Sequence, residues 1–184
     1  MKEKVCLLLL LAVMLAGCSI KPENLGDIAS EYATVNDSVR VHYKTYGDGN
    51  KTICFVHGFG CDLNTWEKQF EGLRDEKGLR LLFIDLPGYG ESSKPHVDYT
   101  LDFFAEALNA VLDKEHVKWW SQRPLHGRVM VICTQNSGLD PDNRQKMERL
   151  YPHLDYAELT TCGHFIHMEQ PEMFNEKLKT FIKE

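Results

Sequence analysis

The chain has 184 residues and a formal net charge of −6, enough length for one domain with a core of its own. Hydrophobic residues at 43% and charged residues at 26% are ordinary for a globular protein and argue against a disordered or low-complexity chain. The mild acidity leaves no basic stripe to neutralise phosphates, so no nucleic-acid partner is expected.

Lys2 and Lys4 precede an apolar run from Val5 to Met14. That run is short of the roughly 20 residues that span a bilayer comfortably. Leu15-Ala16-Gly17-Cys18 follows, and small residues before a cysteine resemble a bacterial lipoprotein signal. A plain secretory signal with an incidental cysteine is the alternative. The lipoprotein resemblance implies a signal peptide over residues 1–17, lipidation of Cys18 and membrane anchoring through its acyl chains. Ser19, where some lipoproteins carry Asp, implies the outer membrane of a Gram-negative cell envelope. Cys6 leaves with the signal, and Cys54, Cys61, Cys133 and Cys162 remain. Export permits disulfides, and spacing fixes no pairing. Cys54 and Cys133 lie in apolar strand runs, as small core residues do.

Residues 18–30 read as a tether, and residues 31–184 as one domain. Glu31 to Val35 and Val39 to Thr45 alternate around Asn36-Asp37 and predict a β-hairpin. Thr52 to Val56 is a short continuous apolar run, the pattern of a buried parallel strand, and ends in His57-Gly58-Phe59-Gly60. Asp62 or Asn64 is placed to cap a helix through Leu73, with Trp66 and Phe70 facing inward. Leu79 to Ile84 is the next buried strand and runs into Asp85-Leu86-Pro87-Gly88-Tyr89-Gly90-Glu91-Ser92-Ser93. Thr100 caps a helix through Leu112, with Phe104, Leu108, Val111 and Leu112 on one face. Val129 to Cys133 is another strand, a helix starts at Asp140-Pro141, and Leu154 to Thr160 alternates as a last strand. His164 then sits on a turn before a helix carrying Met173, Phe174, Leu178, Phe181 and Ile182 on one face. Strands alternating with helices give an α/β fold with a mainly parallel sheet, whose ligands bind beyond the carboxyl ends of the strands.

Three motifs, in order and each at a strand end, resemble the α/β-hydrolase superfamily. Val56 to Gly60 is similar to the family's oxyanion loop. Asp85 to Ser92 is similar to the loop after its fourth strand. Gly163 to Phe174 is similar to its catalytic-histidine loop. The resemblance implies an esterase-like hydrolase without a cofactor, acting on a small ester-like molecule. It implies an oxyanion hole at Gly58 and Phe59, with Gly58 allowing the tight turn that aims the Phe59 N–H. It implies His164 as the base that takes the nucleophile's proton and returns it to the leaving group.

The family's nucleophile elbow, a small-x-Ser-x-small turn after the fifth strand, has no counterpart. Ser92, Ser93, Ser121 and Ser137 lack small neighbours on both sides, and Ser19, Ser30 and Ser38 precede the core strands. No apolar strand lies between Leu112 and Val129, so the elbow strand, the lid and the sixth strand are expected to be absent. The tract Val117 to Gly127, with Trp119 and Trp120, reads as a junction. Thr134-Gln135-Asn136-Ser137 offers no carboxylate where the family places its acid, and Asp140 is the nearest alternative. Val129–Cys133 is expected to close the shortened sheet beside Thr52–Val56 by a right-handed crossover, leaving an exposed apolar patch. Cys162, His164, His167 and His153 do not match a standard zinc spacing, so no metal is expected. Cys162 adjoins His164 too closely in sequence to face its imidazole as a nucleophile. A non-catalytic, lipid-anchored binding remnant is the competing function.

Overall fold

The computed structural model describes residues 21–117, 129–134, 141–151, 153–159 and 162–183. The signal segment, Cys18, most of the junction tract and Asp140 lie outside the described residues.

Strands β1 (Glu31–Val35) and β2 (Val39–Tyr46) form the expected hairpin, antiparallel and in register from Val35↔Val39 to Glu31↔Tyr43. Asn36 and Asp37 both take positive φ, 48° and 60°, and the Ser38 N–H closes on the Val35 carbonyl at 3.2 Å. Two left-handed central residues make a turn whose twist matches the strands, and Asn and Asp tolerate that conformation better than most side chains. Strand β3 (Lys51–Val56) lies parallel to β4 (Leu79–Ile84), and β4 pairs antiparallel with β2. The sheet order is β1-β2-β4-β3. Because β4 is covered on both faces, its apolar run is continuous: Leu82 and Ile84 face one core, Leu81 and Phe83 the other.

The first core is closed by helix α2 (Leu101–Lys114), whose Val111 and Leu112 pack on Val41, Leu82 and Ile84. Thr100 caps this helix as expected, its side chain accepting the Phe103 N–H at 3.2 Å. The opposite core is closed by a 3-10 turn (Leu63–Trp66) and helix α1 (Glu67–Leu73). Asp62 caps the turn on the Asn64 N–H. Phe55 stacks on Phe83 with centroids 4.7 Å apart, and Phe70 meets Phe83 edge-on. Full burial of each such side chain is worth about 1.5–3 kcal/mol.

Residues 21–30, read as part of a tether, are docked on this second core. Leu25 and Ile28 are buried in it. The Leu25 N–H donates to the Glu67 carboxylate at 3.1 Å, and the buried Lys44 ammonium donates to the Leu25 carbonyl at 2.8 Å. Two apolar residues in a polar stretch are enough to seat it, because Lys44 and Glu67 satisfy the backbone groups that docking removes from water.

Strands β5 (Val129–Thr134) and β6 (Leu154–Leu159) pair parallel with each other as a second, two-stranded sheet. The expectation that β5 would lie beside β3 is therefore corrected: among the described residues, β3 has no strand on its outer edge. No apolar run between Leu112 and Val129 is available to bridge the two. Helices α3 (Pro141–Leu150), α4 (Ile166–Glu169) and α5 (Pro171–Lys183) complete the described elements. Met173 and Phe174 of α5 pack with Leu159, Cys162 and Ile166, while Leu178 reaches the second core under β3 and β4. Among the described residues no helix is long and apolar enough to cross a membrane.

Candidate functional site

β3 and β4 run parallel and end in register at Val56↔Ile84, so the loops that follow them emerge at the same end of the sheet. His57 ties these loops together. Its Nε2 accepts the Leu86 N–H at 3.0 Å, so the ring proton is on Nδ1, which donates to the Gly58 carbonyl at 2.8 Å. This is an orienting role. The Cys61 N–H then closes on the Gly58 carbonyl at 3.3 Å.

The turn so formed corrects the role expected of Gly58. The left-handed residue is Gly60, at φ +76°, as the third position of a type II turn requires. Gly58 has an ordinary φ, and an added Cβ there would meet nothing within 4 Å. Phe59 stands at the corner, its side chain 95% exposed, meeting the Tyr89 ring edge-on.

The second wall comes from the loop after β6. Glu169, in α4, turns its carboxylate back to accept the Gly163 N–H at 2.5 Å and the Phe165 N–H at 3.1 Å. The two bonds bracket His164, which is exposed and meets the Phe165 ring edge-on at 5.0 Å. Among the described residues no hydrogen-bond partner of the His164 imidazole is found. Between the walls lies a pocket of about 380 Å³, lined by Val56, Gly58, Phe59, Cys61, Thr65, Trp66, His164, Phe165 and His167. The fold thus brings Gly58, Phe59 and His164 to one pocket. Among the described residues the lining holds no serine, aspartate or glutamate, and Asp140 lies outside the described residues.

Two pocket features escape a reading of the sequence. Thr65 Oγ1 lies 3.0 Å from His167 Nε2, and Gln69 donates to the His167 carbonyl at 2.8 Å. Trp66 lies against the His167 ring at 4.3 Å, and burial holds the imidazole below its usual pKa. The only sequence signal was a histidine one turn beyond His164. Cys61 lines the pocket half-buried; Cys54, in β3 against the first core, has its thiol pushed up to about 12 by burial. Cys54, Cys61, Cys133 and Cys162 are all free thiols. Among the described residues no group of three or more His, Cys, Asp or Glu is placed to hold a metal ion.

Asp85 opens the loop after β4 and anchors it. Its carboxylate receives His42 Nδ1 at 2.7 Å, the Leu63 N–H at 2.7 Å and the Glu91 N–H at 3.0 Å. Burial raises the carboxyl's pKa, but the hydrogen bonds from His42 and the two backbone N–H groups outweigh it and hold the group below the usual carboxylate range. Ser92 donates to the Asp85 carbonyl and accepts the His42 N–H, and Ser93 accepts the Arg40 N–H. Both serine hydroxyls of this loop are thereby committed to the backbone.

Residues 51–119 match the family described as alpha/beta hydrolase fold. The bifunctional epoxide hydrolase 2 of Rattus norvegicus is 30% identical over 138 residues, 66% of this chain and 24% of that protein. A haloalkane dehalogenase of Agrobacterium fabrum is 38% identical over 88 residues, 48% of this chain and 28% of that protein. The chain thus spans about a quarter of the length of these relatives. Among solved structures, an esterase from Exiguobacterium antarcticum superposes with a TM-score of 0.74 at 11% identity, across 85% of this chain and 100% of that one. A bromoperoxidase from Bacillus anthracis does so at 0.72 and 14%, across 85% and 100%. The fold is that of the α/β-hydrolases.

Proposed function

We propose that this chain is an esterase-like α/β-hydrolase by descent that keeps the oxyanion loop and the histidine of an ester-hydrolysing site and lacks a serine elbow. One observation carries the reading: Gly58, Phe59 and His164, from loops more than a hundred residues apart in sequence, line the same pocket. The backbone N–H of Phe59 is the donor for a developing oxyanion. His164, exposed and with no protein partner among the described residues, is the group that exchanges a proton with the ligand.

The lining also sets the limits of the chemistry. Aromatic rings, one thiol and two imidazoles, with no carboxylate among the described lining residues, suit a small, neutral, ester-like molecule. With no serine opposite His164 among the described residues, turnover through a covalent intermediate is expected to be weak, because a triad lacking one member keeps only residual catalysis. The same lining supports the second reading, a lipid-anchored module that binds such a ligand without turning it over.

Hydrolysis of a short-chain aryl ester by the full chain, run beside His164→Ala, tests the first reading. Turnover that the variant loses supports it. A folded parent that binds the ester in the pocket and releases no product favours the binding module. The anchor is tested separately by metabolic labelling with a fatty acid, which Cys18→Ser abolishes if that cysteine is acylated.

A further inference from the structure

Ser30, His42 and Asp85 form a hydrogen-bonded line that the pocket does not use. Ser30 Oγ lies 2.8 Å from His42 Nε2, and His42 Nδ1 lies 2.7 Å from Asp85 Oδ2. His42 and Asp85 are buried, at 1% and 2% exposure, while Ser30 is exposed. An ionised carboxylate only accepts hydrogen bonds, so Nδ1 of His42 is the donor to Asp85. In the neutral imidazole this leaves the Nε2 lone pair for the Ser30 hydroxyl proton.

The ring cannot readily turn away. The backbone N–H of His42 is held by Ser92 Oγ at 2.8 Å, and the Tyr32 ring lies 5.2 Å from the imidazole, tilted by 43°. A carboxylate that orients an imidazole, and an imidazole that accepts from a hydroxyl, is the arrangement that activates a serine. We propose that Ser30 is a nucleophilic serine that accepts an acyl or phosphonyl group from activated, neutral donors.

Charge and donors select that class. Glu91 Oε2 lies 3.9 Å from His42 Nε2, so two carboxylates border the ring. They face the positive charge that the ring takes on as the proton arrives, and they repel anionic donors. Among the described residues the one hydrogen bond of Ser30 Oγ is to His42, and no oxyanion donors are assigned to the site. Loss of a single oxyanion donor costs about 10²–10³ in rate, so the donor must carry a good leaving group. In the step, Ser30 Oγ bonds to the carbonyl carbon or phosphorus, and the bond from that atom to aryl oxide or fluoride breaks. The hydroxyl proton passes to His42 Nε2 and on to the departing group.

The test is labelling of the full chain with a neutral fluorophosphonate, followed by peptide mass spectrometry. The expected result is a phosphonyl adduct on Ser30, absent from Ser30→Ala. In parallel, Ser30→Cys is compared with Ser38→Cys, an exposed serine in the hairpin turn. A base at Ser30 makes its thiol alkylate at least about tenfold faster than the reference thiol. Both substitutions are at exposed positions, so the fold is kept. Absence of the Ser30 adduct, or equal alkylation of the two thiols, overturns the proposal. The two sites separate cleanly: ester turnover lost in Ser30→Ala and kept in His164→Ala belongs to Ser30, and the converse belongs to the pocket.

Discussion

Nε2 of His57 accepts the Leu86 N–H at 3.0 Å, and through this one ring the loop after β3 is fixed to the loop after β4. The pocket wall at Gly58 and Phe59 rests on that ring, which is 4% exposed, because the Phe59 side chain points to solvent. Replacing His57 by phenylalanine keeps most of the bulk and removes the acceptor. The Leu86 N–H is then left without its partner, at a cost of about 1–3 kcal/mol. Urea denaturation should show that loss, and affinity for an ester-like ligand should fall with it. Unchanged stability would mean that the ring is only filler.

Asp85 predicts an acid-sensitive fold. Its carboxyl is held below the usual range in the folded chain, against about 3.9 when unfolded. A carboxyl shifted in that sense stabilises the fold above its unfolded pKa, and the contribution is lost as the pH falls through the folded value. Urea midpoints should therefore decline from about pH 5 downward. Asp85→Asn should flatten that decline and cost about 1–3 kcal/mol at neutral pH, since an amide matches fewer of the three donors now on the carboxylate. An unchanged acid limb in the variant would place the titrating groups elsewhere.

Glu169 is expected to position His164 without touching a ligand. Its carboxylate holds the N–H groups on either side of that residue. Glu169→Ala should release the turn and weaken ligand binding in the pocket. The loss of stability should be at most about 1–1.5 kcal/mol, because the site is exposed. Gly163→Ala should act in the same direction, since its Cβ would stand 2.8 Å from Glu169 Oε1 and push the carboxylate off. Ligand titrations of both variants check this. Full affinity in either would show that α4 and Phe165 place His164 unaided.

What the sequence made legible is local. The Asn36-Asp37 turn, the Thr100 cap and the apolar run of β4 each carry their cause within a few residues, and each is observed. The loops after β3 and β4 were legible as neighbours because they follow strands of parallel-strand pattern, and parallel strands bring such ends together; the His164 wall follows β6, in the other sheet. What escaped is non-local. The contact between Thr65 and His167 joins residues 102 apart, and no pattern in either stretch announces it. Ser30 was set aside because it precedes the core strands, yet it meets His42, from β2, which in turn meets Asp85, from the loop after β4. Gly60 rather than Gly58 takes the left-handed conformation, a choice made by the Gly58–Cys61 turn and not by the glycine content of the loop.

The separation of the two sheets makes the last prediction. β4 has a strand on each side and a core on each face, so opening it exposes both cores. Among the described residues β5 and β6 pair only with each other, and most of β5 is half-buried. A two-stranded sheet is marginal unless something packs on it, and here Leu159, Cys162 and Ile166 against α5 supply that packing. The second sheet should therefore open without global unfolding. In native-state hydrogen exchange, amides of Leu82 and Phe83 should be the slowest, and those of Val131 and Ile132 faster by about tenfold or more, a difference of about 1.4 kcal/mol in opening energy. Equal protection would mean that α5, which touches both the small cluster and the core under β3, couples the sheets into one cooperative unit. His164 would then stand on a wall as rigid as the one that carries Phe59. Faster exchange in β5 and β6 would instead make the His164 wall the movable side of the pocket, so that a ligand bridging both walls should slow exchange in β5 and β6 more than in β4.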